Sequence, residues 1–282
     1  MRRFEELDQE ALLRASALLR ALRVKTAAVV TSASSVVVIT GASAGIGAAL
    51  AQRLAARGNH VVLVARREKE LREVASRCAG RALPIVADVT SRDEVRRVVR
   101  EAIAPLGHVD VWVNNAGRGI TRPVSQLTDD DVDEMVRINV KSALYGMQEI
   151  LPHFIARGSG QIINVSSMLG RVPMASFRSA YNGAKHFLNA ITANLRDELR
   201  EQHPGIVVSL VSPGVVATEF GVNAAHGGPD SRTLPMSQPV EEVAEVIERV
   251  IDTRATDVYT RGGMRQMVLD YFGRMGADPA TQ

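Results

Sequence analysis

The chain has 282 residues, 46% of them hydrophobic, enough to bury one sizeable α/β core without subdividing. A formal charge of +3, dispersed along the chain, argues against nucleic acid as a partner. The lone cysteine, Cys78, excludes an intramolecular disulfide and fits a reducing, cytoplasmic setting, and the six histidines show no metal-ligand spacing.

Residues 1–34 read as an N-terminal extension. Leu12, Ala15, Leu18, Leu19 and Leu22 make a helical apolar face, with Arg14, Arg20, Arg23 and Lys25 nearby. Glu5, Glu6, Asp8 and Glu10 argue against a mitochondrial presequence. Residues 26–52 carry no formal charge, but their Ser, Thr and Gly content favours a linker over a membrane span, so no stable membrane insertion is expected. An overlong assigned start and a helix packing on a partner subunit both stay open.

Short apolar runs then alternate with helical patterns. Strands are expected at Val36–Thr40, His60–Ala65, Leu83–Ala87, Val109–Val113, Gln161–Ser166, Ile206–Val211 and Asp257–Tyr259. Ser91-Arg92-Asp93-Glu94 and Thr128-Asp129-Asp130-Asp131 are helix-start signatures, the first predicting a full capping box. A long helix runs from near Ser176 to His203-Pro204-Gly205. This alternation predicts a single doubly wound α/β domain over residues 35–262. Its seven-stranded, mostly parallel sheet carries helices on both faces and binds ligand at the carboxyl ends of the strands.

Chemistry enters at Thr40-Gly41-Ala42-Ser43-Ala44-Gly45-Ile46-Gly47. A buried strand, a glycine turn and a helix start are what a dinucleotide site requires. Glycines let the backbone approach a pyrophosphate, and free amides with the helix dipole hold its charge. Gly41, Gly45, Ile46 and Gly47 are the expected contacts. The second strand ends in Arg66 and Arg67 where an NAD site usually has a carboxylate. Guanidiniums grip a 2′-phosphate, so NADP(H) is expected over NAD(H); the competing reading is a solvated helix start.

Tyr181 and Lys185 are four residues apart and share a helix face, fourteen residues after Ser167. A free phenol titrates near pH ~10. A cation about 4 Å away, at an effective dielectric near 20, favours the phenolate by roughly 4 kcal/mol, which lowers the pKa by up to about three units. That suits a general acid for reversible carbonyl reduction. Asn139 interrupts the apolar stripe Val132, Met135, Val136, Val140, Ala143, Leu144 and Met147, and an amide buried there must have its bonds made at a cost of about 1–3 kcal/mol otherwise.

Taken in order, Thr40-Gly41-x-x-x-Gly45-x-Gly47, Asn114-Asn115-Ala116-Gly117, Ser167, Tyr181-x-x-x-Lys185 and Pro213-Gly214 resemble the short-chain dehydrogenase/reductase family, from about Val36 to Arg261. The resemblance implies a catalytic set of Ser167, Tyr181, Lys185 and Asn139. It also implies that Asp88 and Val89 flank the adenine, Asn115, Ala116 and Gly117 line the adenosine ribose, Ser43 reaches the 2′-phosphate, Lys185 bonds the nicotinamide ribose, and Val216 and Thr218 hold the carboxamide. A homodimer or homotetramer through the helix bearing Tyr181 is implied as well. The interval from Ser167 to Tyr181 is one residue longer than the family's, which an insertion between Gly170 and Phe177 absorbs. Ser166 is the alternative to Ser167, since adjacent strand residues point opposite ways.

The aperiodic stretch 215–238 is expected to be a substrate lid, with a connection lacking any substrate role as the alternative. Met168, Met174 and Phe177 suggest an apolar wall or ordinary packing, so the expected substrate is a small apolar ketone, aldehyde or secondary alcohol. The tail, 263–282, carries Met264, Met267, Val268, Tyr271 and Phe272, the pattern of a short helix on the substrate side or at a subunit contact. Two further functions use the same fold: a non-catalytic NADP(H)-binding regulator, and an epimerase or dehydratase that retains its cofactor.

Overall fold

Strands made almost wholly of Val, Ile and Leu must be covered on both faces. The computed structural model, which describes residues 34–276, shows how. The strands are β1 (Val36–Thr40), β2 (His60–Ala65), β3 (Ala82–Val86), β4 (Val111–Asn114), β5 (Gly160–Val165), β6 (Ile206–Ser212) and β7 (Asp257–Tyr259). They pair in the order β3-β2-β1-β4-β5-β6-β7, and every pairing is parallel. The helices are α1 (Gly45–Ala56), α2 (Glu68–Ser76), α3 (Arg92–Leu106), α4 (Asp129–Val136), α5 (Ser142–Arg157), α6 (Ser179–Gln202), α7 (Val240–Thr253) and α8 (Met264–Phe272). Except for Ser34, the extension expected over residues 1–34 lies outside the described residues.

Alternate strand residues build two cores. Val37, Ile39, Leu63, Val113 and Ile163 meet α1, α2 and α7 on one face. Val38, Val62, Trp112, Ile162 and Val208 meet α3, α5 and α6 on the other. The order reverses between β1 and β4, and this switch point opens the crevice that a parallel sheet offers to ligands. At the opposite, amino edge, Asp110 accepts the Val36 amide at 2.8 Å and pairs with Arg157 at 3.2 Å and His108 at 3.1 Å. No helix among the described residues is long and apolar enough to cross a membrane.

Several boundaries and caps differ from expectation. Strands β3, β4 and β5 shift by one or two residues and β6 runs one residue further, an ordinary uncertainty at element ends. Helix α6 starts at Ser179 rather than Ser176, because Arg122 donates its amide to Phe177 O at 2.8 Å and bridges Arg178, which keeps residues 176–178 in a turn ahead of the helix. The full capping box forms at Thr128 and Asp131. Ser91 caps α3 through the Glu94 amide alone, since the Glu94 carboxylate turns away to accept the Asp88 amide at 2.8 Å.

A buried polar chain fastens α6 to the sheet. Trp112 Nε1 donates to Asn114 Oδ1 (2.7 Å), Asn114 Nδ2 to Asn164 Oδ1 (2.8 Å), Asn164 Nδ2 to Thr192 Oγ1 (2.9 Å), and Thr192 Oγ1 to Leu188 O (2.6 Å). Removing a member leaves buried neighbours short of partners. Asn164→Ala is therefore expected to cost about 1–3 kcal/mol, read as a lower urea midpoint; an unchanged midpoint would show the chain to be dispensable.

Candidate active site

The turn after β1 is shaped by close approach. Gly41 and Gly45 have φ of +68° and +55°, where L side chains are strained. A Cβ on Gly47 would lie 2.5 Å from Gly41 O and 2.7 Å from Asn115 Nδ2. Thr40 is the hub: its hydroxyl donates to Val113 O (3.2 Å) and accepts the amides of Asn115 (3.0 Å) and Ala116 (3.1 Å). Asn115 Nδ2 donates to Thr40 O at 2.9 Å, locking the turn to the end of β4. Ala44, at the start of α1, offers no side-chain cap and the first turn holds no acid, so its amides stay available to an anion. Ile46 and Val89 pack at the rim of the two cores.

The two arginines after β2 diverge. Arg67 Nη2 donates to Ser43 Oγ at 3.1 Å, which puts both on the glycine turn. Arg66 lies 3.9 Å from Asp88 instead. Burial opposes ionisation of Asp88, but bonds from the Thr90 amide and hydroxyl outweigh it and leave the carboxyl below its usual range. Val216 pairs with Gln238, and Thr218 leans on the turn, its Cγ2 3.3 Å from where a Gly45 side chain would begin. Ser43, Arg67, Asn115 and Thr218 thus meet at the glycine turn, while Arg66 is directed toward Asp88 instead.

Across the crevice, β5 is followed by Ser166 and Ser167, both buried, whose hydroxyls take different partners. Ser166 donates its hydroxyl to the Asn189 side chain. The Ser167 hydroxyl accepts the Leu169 amide at 3.1 Å and lies beside Tyr181, where it favours the phenolate. Tyr181 is 6% exposed and Lys185 3%. Lys185 Nζ stands 5.7 Å from the Tyr181 ring centroid and donates to Val165 O at 3.0 Å.

Here the electrostatics depart from the sequence argument. Burial pushes the phenol up to about 12, against smaller opposing effects of Ser167 and Arg178. Burial also brings Lys185 down to about 8. Desolvation disfavours both charged forms, so without ligand the phenol keeps its proton across the neutral range.

Asn139 sits in a π turn, Arg137–Lys141, that interrupts the α4–α5 rod and that apolar spacing did not predict. Its Nδ2 donates to Met135 O (3.2 Å) and Arg118 O (2.9 Å), and its Oδ1 accepts the Arg118 amide (3.2 Å). A side-chain donor on the carbonyl four residues back displaces the regular ladder and widens the turn. A Cβ on Gly117 would be 2.9 Å from Asn139 Oδ1 and 3.6 Å from Lys185 Nζ, so these three residues converge. Met168 is buried, whereas Met174 and Phe177 are exposed and make no continuous wall with it. In the tail, Met264 at the head of α8 closes on Gly214. Sequence reasoning missed Arg178, buried three residues before Tyr181; that helical spacing was the available signal.

A model of the short chain dehydrogenase family matches residues 35–227. The chain is a short-chain dehydrogenase. An uncharacterized oxidoreductase of Staphylococcus epidermidis is 36% identical over 183 residues, 65% of this chain and 78% of that one. Among solved structures, a short-chain dehydrogenase of Sphingobium yanoikuyae in complex with NADPH is 28% identical, with a TM-score of 0.74 over 86% of this chain and 98% of that one. One from Burkholderia phymatum in complex with NAD reaches a TM-score of 0.78 at 22% identity, over 87% and 97%, a likeness of fold. As a short-chain dehydrogenase the protein is an oxidoreductase enzyme with a wholly parallel α/β sheet.

The burial of Tyr181 has a spectroscopic consequence. Subtracting the ultraviolet pH titration of Tyr181→Phe from that of the ligand-free wild type should isolate a phenol that ionises near pH 12. An inflection below the ordinary value of 10 would contradict the assigned desolvation.

Proposed function

We propose that this short-chain dehydrogenase interconverts a carbonyl compound and an alcohol with a nicotinamide cofactor, NADP(H) rather than NAD(H), and with Tyr181 as the acid and base. One observation carries the reading: Tyr181, Ser167 and Lys185 lie buried together across the crevice from a glycine cradle that a Cβ would fill. The cradle's open backbone, the uncapped start of α1 and the Arg67–Ser43 pair fit a dinucleotide with a 2′-phosphate. When bound, the cofactor supplies or accepts the hydride.

The chain's own residues manage the proton and the orientation. Tyr181 gives its proton to the carbonyl oxygen, and because the phenol is protonated at neutral pH it is ready for reduction. Ser167, beside the phenol, holds the same oxygen within reach by a hydrogen bond. Lys185 bonds the nicotinamide ribose and, once protonated, favours the phenolate left after transfer. Asn139 supports the water path that returns the proton, while Val216 and Thr218 hold the carboxamide. Oxidation needs the phenolate, so its rate rises with pH further into the alkaline range than that of reduction.

The exposed side of α6 supports a homo-oligomer. Phe187 is 53% exposed beside an apolar groove formed with Val124, Leu127, Val132, Val136 and Ala180. Sedimentation equilibrium is expected to give a multiple of the 30.4 kDa chain, and a mass of one chain would refute it.

The catalytic reading is tested on a panel of ketones, aldehydes and alcohols, scored for consumption of NADPH and NADH. Tyr181→Phe should lose turnover yet bind NADPH normally, and normal turnover in that variant would refute the role. Arg67→Ala should lower the preference for NADPH over NADH by roughly 10- to 100-fold, as expected for a charge-assisted bond worth about 1.5–3 kcal/mol. Binding of NADPH with no turnover of any compound would favour the regulator, and product formed without net cofactor consumption would favour the epimerase or dehydratase.

A further inference from the structure

The site contains a positive charge to which the proposed chemistry gives no ligand contact. Arg178 is 7% exposed, and a guanidinium cannot shed its proton at any working pH. Its Nη1 donates to Ile120 O at 3.2 Å, and its ring-facing contact is the neighbouring Phe177. Among the described residues no carboxylate forms an ion pair with it. The buried carboxylate of the adjoining segments, Asp131, is already committed, with Oδ2 on Arg122 at 2.9 Å and Oδ1 on His226 at 2.7 Å. A buried cation with one carbonyl partner is under-satisfied by four donors' worth of bonding capacity.

Glycines let the covering backbone come close to that cation. A Cβ on Gly228 would fall 2.7 Å from Thr121 Oγ1, 2.7 Å from Gly221 O and 3.2 Å from Arg178 Nη2, so hydroxyl and guanidinium lie side by side beneath that backbone. Thr121 Oγ1 is itself buried without a hydrogen-bond partner. A Cβ on Gly119 would lie 3.0 Å from Arg178 Nη1 and 2.8 Å from Phe220 Cε1. Phe220 in turn meets the Tyr181 ring edge-on, with centroids 5.4 Å apart. The unpaired charge and the orphaned hydroxyl therefore adjoin the phenol and the segment that covers it.

We propose that Arg178 and Thr121 anchor a carboxylate on the substrate, so that the enzyme acts on an oxo acid and the corresponding hydroxy acid rather than on a neutral ketone. This rests on the carbonyl-reducing reading and narrows its substrate class, replacing the small apolar compound expected from the methionines. A guanidinium fork matches the two oxygens of a carboxylate, and the Thr121 hydroxyl supplies a further donor. Anchoring one end of a short oxo acid fixes the carbonyl relative to Tyr181, which lowers the entropy lost on reaching a reactive pose.

The test pairs pyruvate, acetoacetate and levulinate with their methyl esters, using the full chain and NADPH. Wild type should prefer at least one acid over its ester in kcat/KM. In Arg178→Gln the acid should fall by roughly 10- to 100-fold, mainly through KM, with a much smaller loss for the ester. Arg178→Lys, which keeps the charge, should recover part of the acid's rate and guard against a folding artefact, as should unchanged melting temperatures. Equal losses for acid and ester with a displaced pH profile would mean that Arg178 acts on Tyr181 instead, and would overturn the anchor; so would an acid rate that Arg178→Gln leaves intact. If no carbonyl compound turns over, the reduction reading fails by itself. Calorimetric titration of the three acids then decides the anchor: heat in wild type that Arg178→Gln abolishes supports it, and no heat in wild type rejects it.

Discussion

The close seating of α6 on the carboxyl end of β5 governs the rest of the site. Lys185 reaches the Val165 carbonyl, and the Asn114–Asn164–Thr192 chain holds the same face of that helix two turns further on. This seating removes Tyr181 from water. Burial then decides the resting protonation state: it outweighs the favourable influence of Ser167 and Arg178 on the phenolate. In the proposed mechanism the acid is stored in its protonated form, and the groups that would stabilise its conjugate base are placed around it beforehand. Preorganisation of that kind is where enzymes derive much of their advantage over solution chemistry.

Much of the fold was legible because the signals were local and strong. Val36–Thr40, His60–Ala65 and Asp257–Tyr259 begin and end where their apolar runs do. The glycine turn was legible for a similar reason, since Gly41, Gly45 and Gly47 each answer a backbone constraint. What could not be read was set by contacts between distant segments. The start of α6 depends on Arg122 pairing with Phe177, and the incomplete cap at Ser91 depends on the Asp88 amide drawing Glu94 away.

The site shows the same division. Asn139 was visible as a polar residue in an apolar stripe, but the π turn it creates was not, because that requires knowing that Met135 O accepts its side chain. The sign of the Tyr181 shift was also out of reach: spacing gives the neighbouring charge, while the depth of burial belongs to the whole fold. Asn115 was expected beside a ribose, yet its side chain ties the glycine turn to β4, a structural duty that sequence could not separate from a binding one.

Because all seven strands run the same way, the two edges of the sheet have different trades. Asp110, clamped to Val36, Arg157 and His108, does its fastening at the amino edge, while every group argued to meet a ligand lies at the other. The scaffold and the recognition surface can therefore be altered almost independently. In the proposed reading, remodelling the connection between β6 and α7 redirects what the enzyme accepts without loosening the clasp that ties the end of α5 to the sheet.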